Sequence, residues 1–380
     1  MRSGIGLPLL VFVFLTFYAC NPQDKPIPEE PQTQEKETET APPNIILIIG
    51  DGAGISQLST LWYYGTERPN YERFKFVGLS KTNSSSHKIT DSAAGATAFS
   101  IGEKTYNGAI GVDQDSVSKE NITEILSKKG YSTGVVATST ITHATPASFY
   151  AHVKSRNEHY EIASQLVGSE IDFFAGGGIK YFARRPDGRN LLNEFKSEGF
   201  ALDTNDLTTP LNSEKVGYLL AADAMPTIIE GRGDFLPNAS KKALDFLSAK
   251  NQPFFLMIEA SQVDWGGHGN DDEYIITETH DLDKTVGVAL DFAEKYPNTL
   301  VVALADHETG GYGISPVTIQ GFGGIVHDDY DKLEGKFTTK GHTCEHIPVF
   351  SSGIGAIAFA GIYENHTVFD KMLSCLEQTN

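Results

Sequence analysis

Two shortages frame this 380-residue chain, one of basic side chains and one of cysteine. Lys and Arg number 30 against 49 Asp and Glu, a formal net charge of -19. Nucleic-acid grooves neutralise phosphate backbones with a surplus of Lys and Arg, so this balance argues against RNA or DNA as the main partner. A small anion could still bind where metal ions or a single arginine supply local positive charge. Cysteine occurs only as Cys20, Cys344 and Cys375, too few for a disulfide scaffold, and no pattern brings the last two together. Long apolar runs are also missing. The longest, "GLPLLVFVFLTFYA" at residues 6–19, is fourteen residues, short of the roughly twenty that cross a bilayer.

That run follows Arg2 and ends at Cys20, which fits a secretory signal over residues 1–20. "FYAC" resembles a bacterial lipoprotein processing box, with Cys20 the residue that would carry lipid. The expectation is therefore an exported protein, periplasmic or associated with the outer membrane of a Gram-negative-type bacterium, and touching membrane only through that lipid. Residues 21–43, "NPQDKPIPEEPQTQEKETETAPP", hold Pro, Glu, Thr and Gln with no aromatic residue. Such a segment buries too little apolar area to fold and reads as a disordered tether. One folded domain is expected over residues 44–380.

From Asn44 onward, short apolar runs alternate with amphipathic ones: "NIILIIG", "YSTGVVATS", "PFFLMIEAS" and "TLVVALAD" are strands separated by helix patterns. The helix at "NASKKALDFLSAK" would take Asn238 as its N-cap. This βαβ rhythm predicts an α/β fold, a doubly wound, largely parallel central sheet with helices on both faces. Ligands in such sheets gather beyond the carboxyl ends of the strands. Here those ends carry Asp51; His143 and Thr145; Glu259, Asp264 and His268; and Asp306, His307 and Glu308. Carboxylates concentrated at one edge repel one another unless cations lie between them. Mixed Asp and His ligands suit zinc, and an oxygen set suits magnesium. Two such ions serve in-line displacement at phosphorus. Ser92 opens an alanine-rich helix whose N-terminus favours an anion, and Arg156 offers a planar fork for two phosphate oxygens.

Five segments, in order along the chain, resemble the alkaline phosphatase family: "DSAAGATAFSIGEKTYNGAIGVD", "THATPASFYAHVKSR", "EASQVDWGGHGND", "ADHETGG" and "GHTCEHIPVF". The resemblance implies an enzyme that hydrolyses phosphate monoesters of broad range with an alkaline optimum, using two Zn2+ and one Mg2+. It makes Ser92 the nucleophile, phosphorylated and then freed by water, and Arg156 the clamp on the phosphoryl oxygens. It assigns Asp264, His268 and His342 to the first zinc and Asp51, Asp306 and His307 to the second. Asp51, Thr145 and Glu259 fall to the magnesium. His143 and Trp265 stand at positions that vary in the family, His143 beside the third ion and Trp265 against the substrate, where others carry a basic side chain. Relatives are often homodimers.

Other features take plainer readings. His346 precedes an apolar run and is left out of the ligand set, while His152, His159, His280, His327 and His366 are read as surface or hydrogen-bonded histidines. "GGG" at 176–178 is a turn, "RGD" at 232–234 is accidental, and Asp281 and Asp283 form a solvated helix face. A sulfatase would need a Cys or Ser with a following Pro and a basic residue that "SAAGA" lacks, and diesterases commonly lack the magnesium set. An exported metal or phosphate binder without turnover would have no use for Ser92.

Overall fold

The computed structural model describes residues 1, 42–321 and 324–376. The apolar leader, Cys20 and the tether as far as Ala41 lie outside the described residues, and the strands and helices belong to the unit Glu39–Asn380. The strands are β1 Asn44–Gly50, β2 Phe76–Lys81, β3 Ser132–Thr140, β4 Phe173–Gly177, β5 Phe200–Asp203 and β6 Lys215–Leu219. They continue as β7 Phe254–Ala260, β8 Thr299–Leu304, β9 Tyr312–Gln320, β10 Val326–Phe337, β11 Ile347–Gly353 and β12 Gly361–Glu364. Ten form one sheet in the order β12-β2-β11-β8-β1-β7-β3-β4-β6-β5. Its strands all run in one direction except β11, which pairs antiparallel with both β2 and β8. β9 and β10 make a separate antiparallel pair.

β1 shows why the sheet is buried on both faces. Ile45 to Ile49 are all 0% exposed. Their side chains alternate across the pleat. Ile45, Leu47 and Ile49 pack with Ala93, Ala96 and Phe99 on one side, while Ile46 and Ile48 pack with Leu282 and Val286 on the other. Each such isoleucine contributes about 1.5–3 kcal/mol relative to exposure. The strand is thus held between helix Ser92–Ile101 and the long helix Asp272–Lys295. Its neighbours are β8 and β7, with β3 beyond β7, so the four ligand-bearing strands are consecutive and parallel, and their carboxyl ends coincide.

Asp91 caps helix Ser92–Ile101, its carboxylate accepting from Ala94 N at 3.0 Å. Local chemistry places two elements differently from the sequence reading. The helix expected to start at Asn238 begins earlier, as Phe235–Ser248. Pro237 sits in its first turn, where a missing N–H costs no intrahelical bond. Gly176 and Gly177 complete β4, and only Gly178, at φ +97°, makes the turn.

Asp281 and Asp283 are not a solvated face. Asp281 is 2% exposed and bonds Arg232 Nη2 at 2.9 Å, and Arg232 also pairs with buried Glu278. Asp283 accepts from the backbone N–H groups of Asn70 and Tyr71 at 3.0 and 3.1 Å. Arg232 of the "RGD" stretch is therefore a structural residue: it donates to Pro226 O at 3.0 Å while Glu278 Oε1 accepts from Ile228 N at 2.9 Å, tying the 226–232 loop to the long helix. Cys344 is exposed and Cys375 buried, both free among the described residues.

Behind β1 the chain turns through Gly52 at φ +74°, a conformation that disfavours a side chain. A Cβ there would meet Asp264 Cα at 2.6 Å. The turn thus lets the β1 loop touch the first turn of helix Val263–Gly269, which follows β7. We predict that Gly52→Ala lowers Tm by about 5 °C or more; an unchanged melting curve would refute this close contact.

Candidate metal and phosphate site

At the carboxyl edge of β8-β1-β7-β3, the structure brings together the residues that the family resemblance assigns as ligands, whereas Glu308 enters none of the metal groups among the described residues. Three groups have carboxylate and imidazole atoms within 4.8 Å of one another: Asp264, His268 and His342; Asp51, Asp306 and His307; and Asp51, His143 and Glu259. Asp51 belongs to two of them. It lies at the centre because β1 lies between β8 and β7.

The hydrogen bonds fix which imidazole nitrogen is free. His342 Nδ1 lies 2.9 Å from Thr90 O, and His268 Nδ1 contacts Lys340 O. A carbonyl can only accept, so both Nδ1 atoms carry the proton and both Nε2 atoms are bare lone pairs. Yet these two Nε2 atoms face each other at 3.2 Å, with Asp264 Oδ1 at 3.4 and 3.5 Å from them. His307 is arranged in the same way. The Thr309 hydroxyl donates its one proton to Asp264 and so must accept from His307 Nδ1 at 3.2 Å. The Nε2 lone pair of His307 then points at Asp51 Oδ1 and Asp306 Oδ2, at 3.5 and 3.4 Å. Acceptors packed against acceptors repel unless cations separate them.

The third group differs. Asp51 Oδ2, Glu259 Oε1 and the Thr145 hydroxyl are buried without hydrogen-bond partners among the described residues. Ser139 donates to the other Glu259 oxygen at 2.9 Å, and Ser261 does so as well, aiming the free oxygen at Asp51. Three unpaired buried oxygens suit a hard cation. His143 Nε2 accepts from Arg156 Nη2 at 3.2 Å, leaving its buried Nδ1 unpartnered. The residues present therefore fit two mixed nitrogen-oxygen sites and one oxygen-dominated site.

Titration follows from this crowding. Burial, then repulsion from Asp306, Asp264 and Glu259, pushes Asp51 well above the ordinary carboxylate range. Burial raises Asp306 to about 6 and Glu259 to about 7. Burial lowers His143 to about 3 and His307 well below its usual value, so both stay neutral, the form that binds metal.

Ser92 sits on this cage, its Oγ 3.2 Å from His307 Nε2 and 3.5 Å from Asp51 Oδ1. The close approach has a local cause. A Cβ at Gly95, one turn along the helix, would lie 2.9 Å from Asp306 Cβ, so the glycine lets the helix rest on the end of β8. Arg156 reaches the site from a non-helical segment, divided between Asp91 Oδ2 at 3.0 Å and His143. Burial would raise Asp91, but Arg156 and the N–H groups of Ala94 and Gly108 hold it below its ordinary value. Trp265, half-buried, stands edge-on to His143 with ring centroids 6.2 Å apart.

Two supporting residues, Asp91 and Thr309, escape the sequence reading, and Glu308, a candidate ligand there, serves as a hydrogen-bond acceptor instead. Asp91 orients Arg156; its signal is a cap position directly before Ser92. Thr309 fixes the His307 tautomer, and buried Glu308 accepts from Gln57, Thr343 and the N–H groups of Gly311 and Tyr312. Their distant partners, Asp264 for Thr309 and Gln57 and Thr343 for Glu308, lie too far along the chain for spacing to reveal.

A family model described as alkaline phosphatase matches residues 43–332. The chain belongs to the alkaline phosphatase family. Alkaline phosphatase 3 of Bacillus subtilis strain 168 is 38% identical over 328 residues, an alignment covering 81% of this chain and 70% of that protein. Alkaline phosphatase 4 of the same strain is 36% identical, with 75% of this chain and 65% of that one covered. The solved alkaline phosphatase from the Antarctic bacterium TAB5 is 48% identical with a TM-score of 0.86, covering 89% of this chain and 98% of that one. A histidine-to-aspartate mutant of the TAB5 enzyme, with Mg bound in its M3 site, gives a TM-score of 0.87 at the same identity. This alkaline phosphatase relative is accordingly a phosphomonoester hydrolase.

The raised carboxylates set a pH test. In the metal-free protein Asp51, Asp306 and Glu259 hold protons more tightly when folded than at their ordinary 3.8–4.5 when unfolded. Stability of that form must fall as pH rises from about 4 through about 7. Cations replace the protons, so the metal-loaded protein should escape the loss. Chelator-stripped protein should melt about 5 °C or more below the zinc- and magnesium-loaded form at pH 8, with a smaller gap at pH 5. A gap independent of pH would contradict the burial of ionised acids between cations.

Proposed function

We propose that Ser92 is the nucleophile of a two-step phosphate monoester hydrolysis. The observation that carries this reading is the Ser92 hydroxyl poised at the junction of Asp51 and His307. Its oxygen attacks phosphorus, the bond from phosphorus to the alcohol oxygen breaks, and a phosphoserine forms. Water then attacks that phosphorus, releasing inorganic phosphate and restoring the serine. Asp91 holds Arg156 so that its fork meets the non-bridging oxygens, a positioning role in a reaction governed by geometry and charge neutralisation.

Asp264, His268 and His342 would hold one zinc, and Asp51, Asp306 and His307 a second, as their nitrogen-oxygen donor sets favour. Asp51, Thr145 and Glu259 would hold a magnesium, with His143 beside it. Bound there, the cations supply a lowered serine pKa and charge for the phosphoryl and leaving oxygens. The solved TAB5 histidine-to-aspartate mutant has Mg bound in its M3 site, and we read the third group here as the counterpart of that site. Ligands that must be deprotonated suit an alkaline optimum. We further propose export and lipidation at Cys20, which mass spectrometry of the mature N-terminus tests: a diacylated cysteine supports it, and an unmodified N-terminus elsewhere removes it.

Ser92→Ala should cut turnover of p-nitrophenyl phosphate at least about 10³-fold while retaining metal content. Near-native turnover would overturn the nucleophile. His143→Asp adds an oxygen donor to the third group, and should raise magnesium retained after dialysis without reducing zinc. Equal retention would count against His143 lying beside that ion.

A further inference from the structure

Beside the cage lies a cavity of about 680 Å³ that the phosphoryl transfer at Ser92 does not use. Its walls include Trp265, Tyr274, Met225 and Pro226, with Asp223 and Glu230 among its exposed lining residues. It is built on the same support as the metal ligands. Gln262 precedes helix Val263–Gly269, which bears Asp264 and His268. Its side chain donates to Met225 O at 2.8 Å and accepts from the Tyr274 hydroxyl at 3.0 Å. Trp265, next to Asp264, lines the cavity and stands edge-on to His143 of the cage. The loop opposite is fixed through Arg232 to Glu278 and Asp281.

We infer that this cavity receives the alcohol part of the substrate, and that it selects alcohols bearing an organic ammonium group. The inference rests on the phosphatase reading of the neighbouring cage. Two aromatic side chains, Trp265 and Tyr274, line it, and aromatic rings attract a cation through their quadrupoles. The charges point the same way. Lys180 is paired with Asp223, and Arg232 is committed to two buried acids, so among the described residues Glu230 has no cationic partner and accepts from Thr227 N. An alcohol bearing further phosphate or carboxylate would meet that acid and the chain's overall negative charge.

The test compares choline phosphate with 3,3-dimethylbutyl phosphate, its uncharged isostere, on metal-loaded enzyme. The readout is the ratio of kcat/KM values within each variant, which cancels differences in folded fraction. Changes in that ratio between variants also cancel the esters' unequal intrinsic reactivity. Glu230→Gln and, separately, Trp265→Leu should each lower the ratio about threefold or more. A ratio unchanged in both variants, with p-nitrophenyl phosphate still hydrolysed, would overturn the cavity assignment and leave the phosphatase reading standing. Wild-type enzyme inactive on all three esters would overturn both.

Discussion

Lone pairs face lone pairs at the carboxyl edge of this sheet. The Nε2 atoms of His268 and His342 stand 3.2 Å apart, and each of their Nδ1 protons is already given to a backbone carbonyl. His307 aims its bare nitrogen at two carboxylates. With Asp51, Glu259 and Asp306 all buried and each keeping an unpaired oxygen, the arrangement is stable only when protons or cations fill it. Protons do so in acid, and cations can do so at the pH where a phosphatase works. The hydrogen bonds around the ligands choose between the two: by holding each Nδ1 proton, Thr90, Lys340 and Thr309 turn the metal-binding nitrogen inward.

The fold supplies the density of charge that this chemistry needs. β8, β1, β7 and β3 are parallel neighbours, so four separate stretches of sequence end at one line. The Gly52 turn and the Gly95 contact then bring the β1 loop and the Ser92 helix against helix Val263–Gly269 and the end of β8. Burial of the apolar strands offsets this crowding: β1 has no exposed residue from Ile45 to Ile49, and hydrophobic clusters lie on both faces of the sheet. Positioning is thus mostly a property of β1 and its neighbours, and reactivity a property of the loops at their carboxyl ends.

Much of this is legible in the sequence because strand periodicity and ligand type are local. "NIILIIGD" and "TLVVALADH" announce buried strands ending in acids, and the parallel rhythm puts their ends together. The cap of the Ser92 helix is not legible, since Asp91 and Ser92 are both good caps and only the bond to Ala94 N separates them. Asp281 departs from expectation for a different reason. An acid on an amphipathic helix looks solvated unless its partner is known, and Arg232 lies 49 residues away. Thr309 is invisible likewise, its acceptor Asp264 being 45 residues distant. The antiparallel pair β9 and β10, and the reversed strand β11, have no local mark separating them from parallel strands.

The central claim is that cations occupy the gaps between these acceptors. Diffraction from crystals grown with zinc and magnesium, recorded on both sides of the zinc absorption edge, measures this most directly. The account predicts one anomalous peak between His268, His342 and Asp264, a second between His307, Asp51 and Asp306, and non-anomalous density among Asp51, Thr145 and Glu259. Crystals lacking these peaks, with the His268 and His342 nitrogens still in contact, would contradict it.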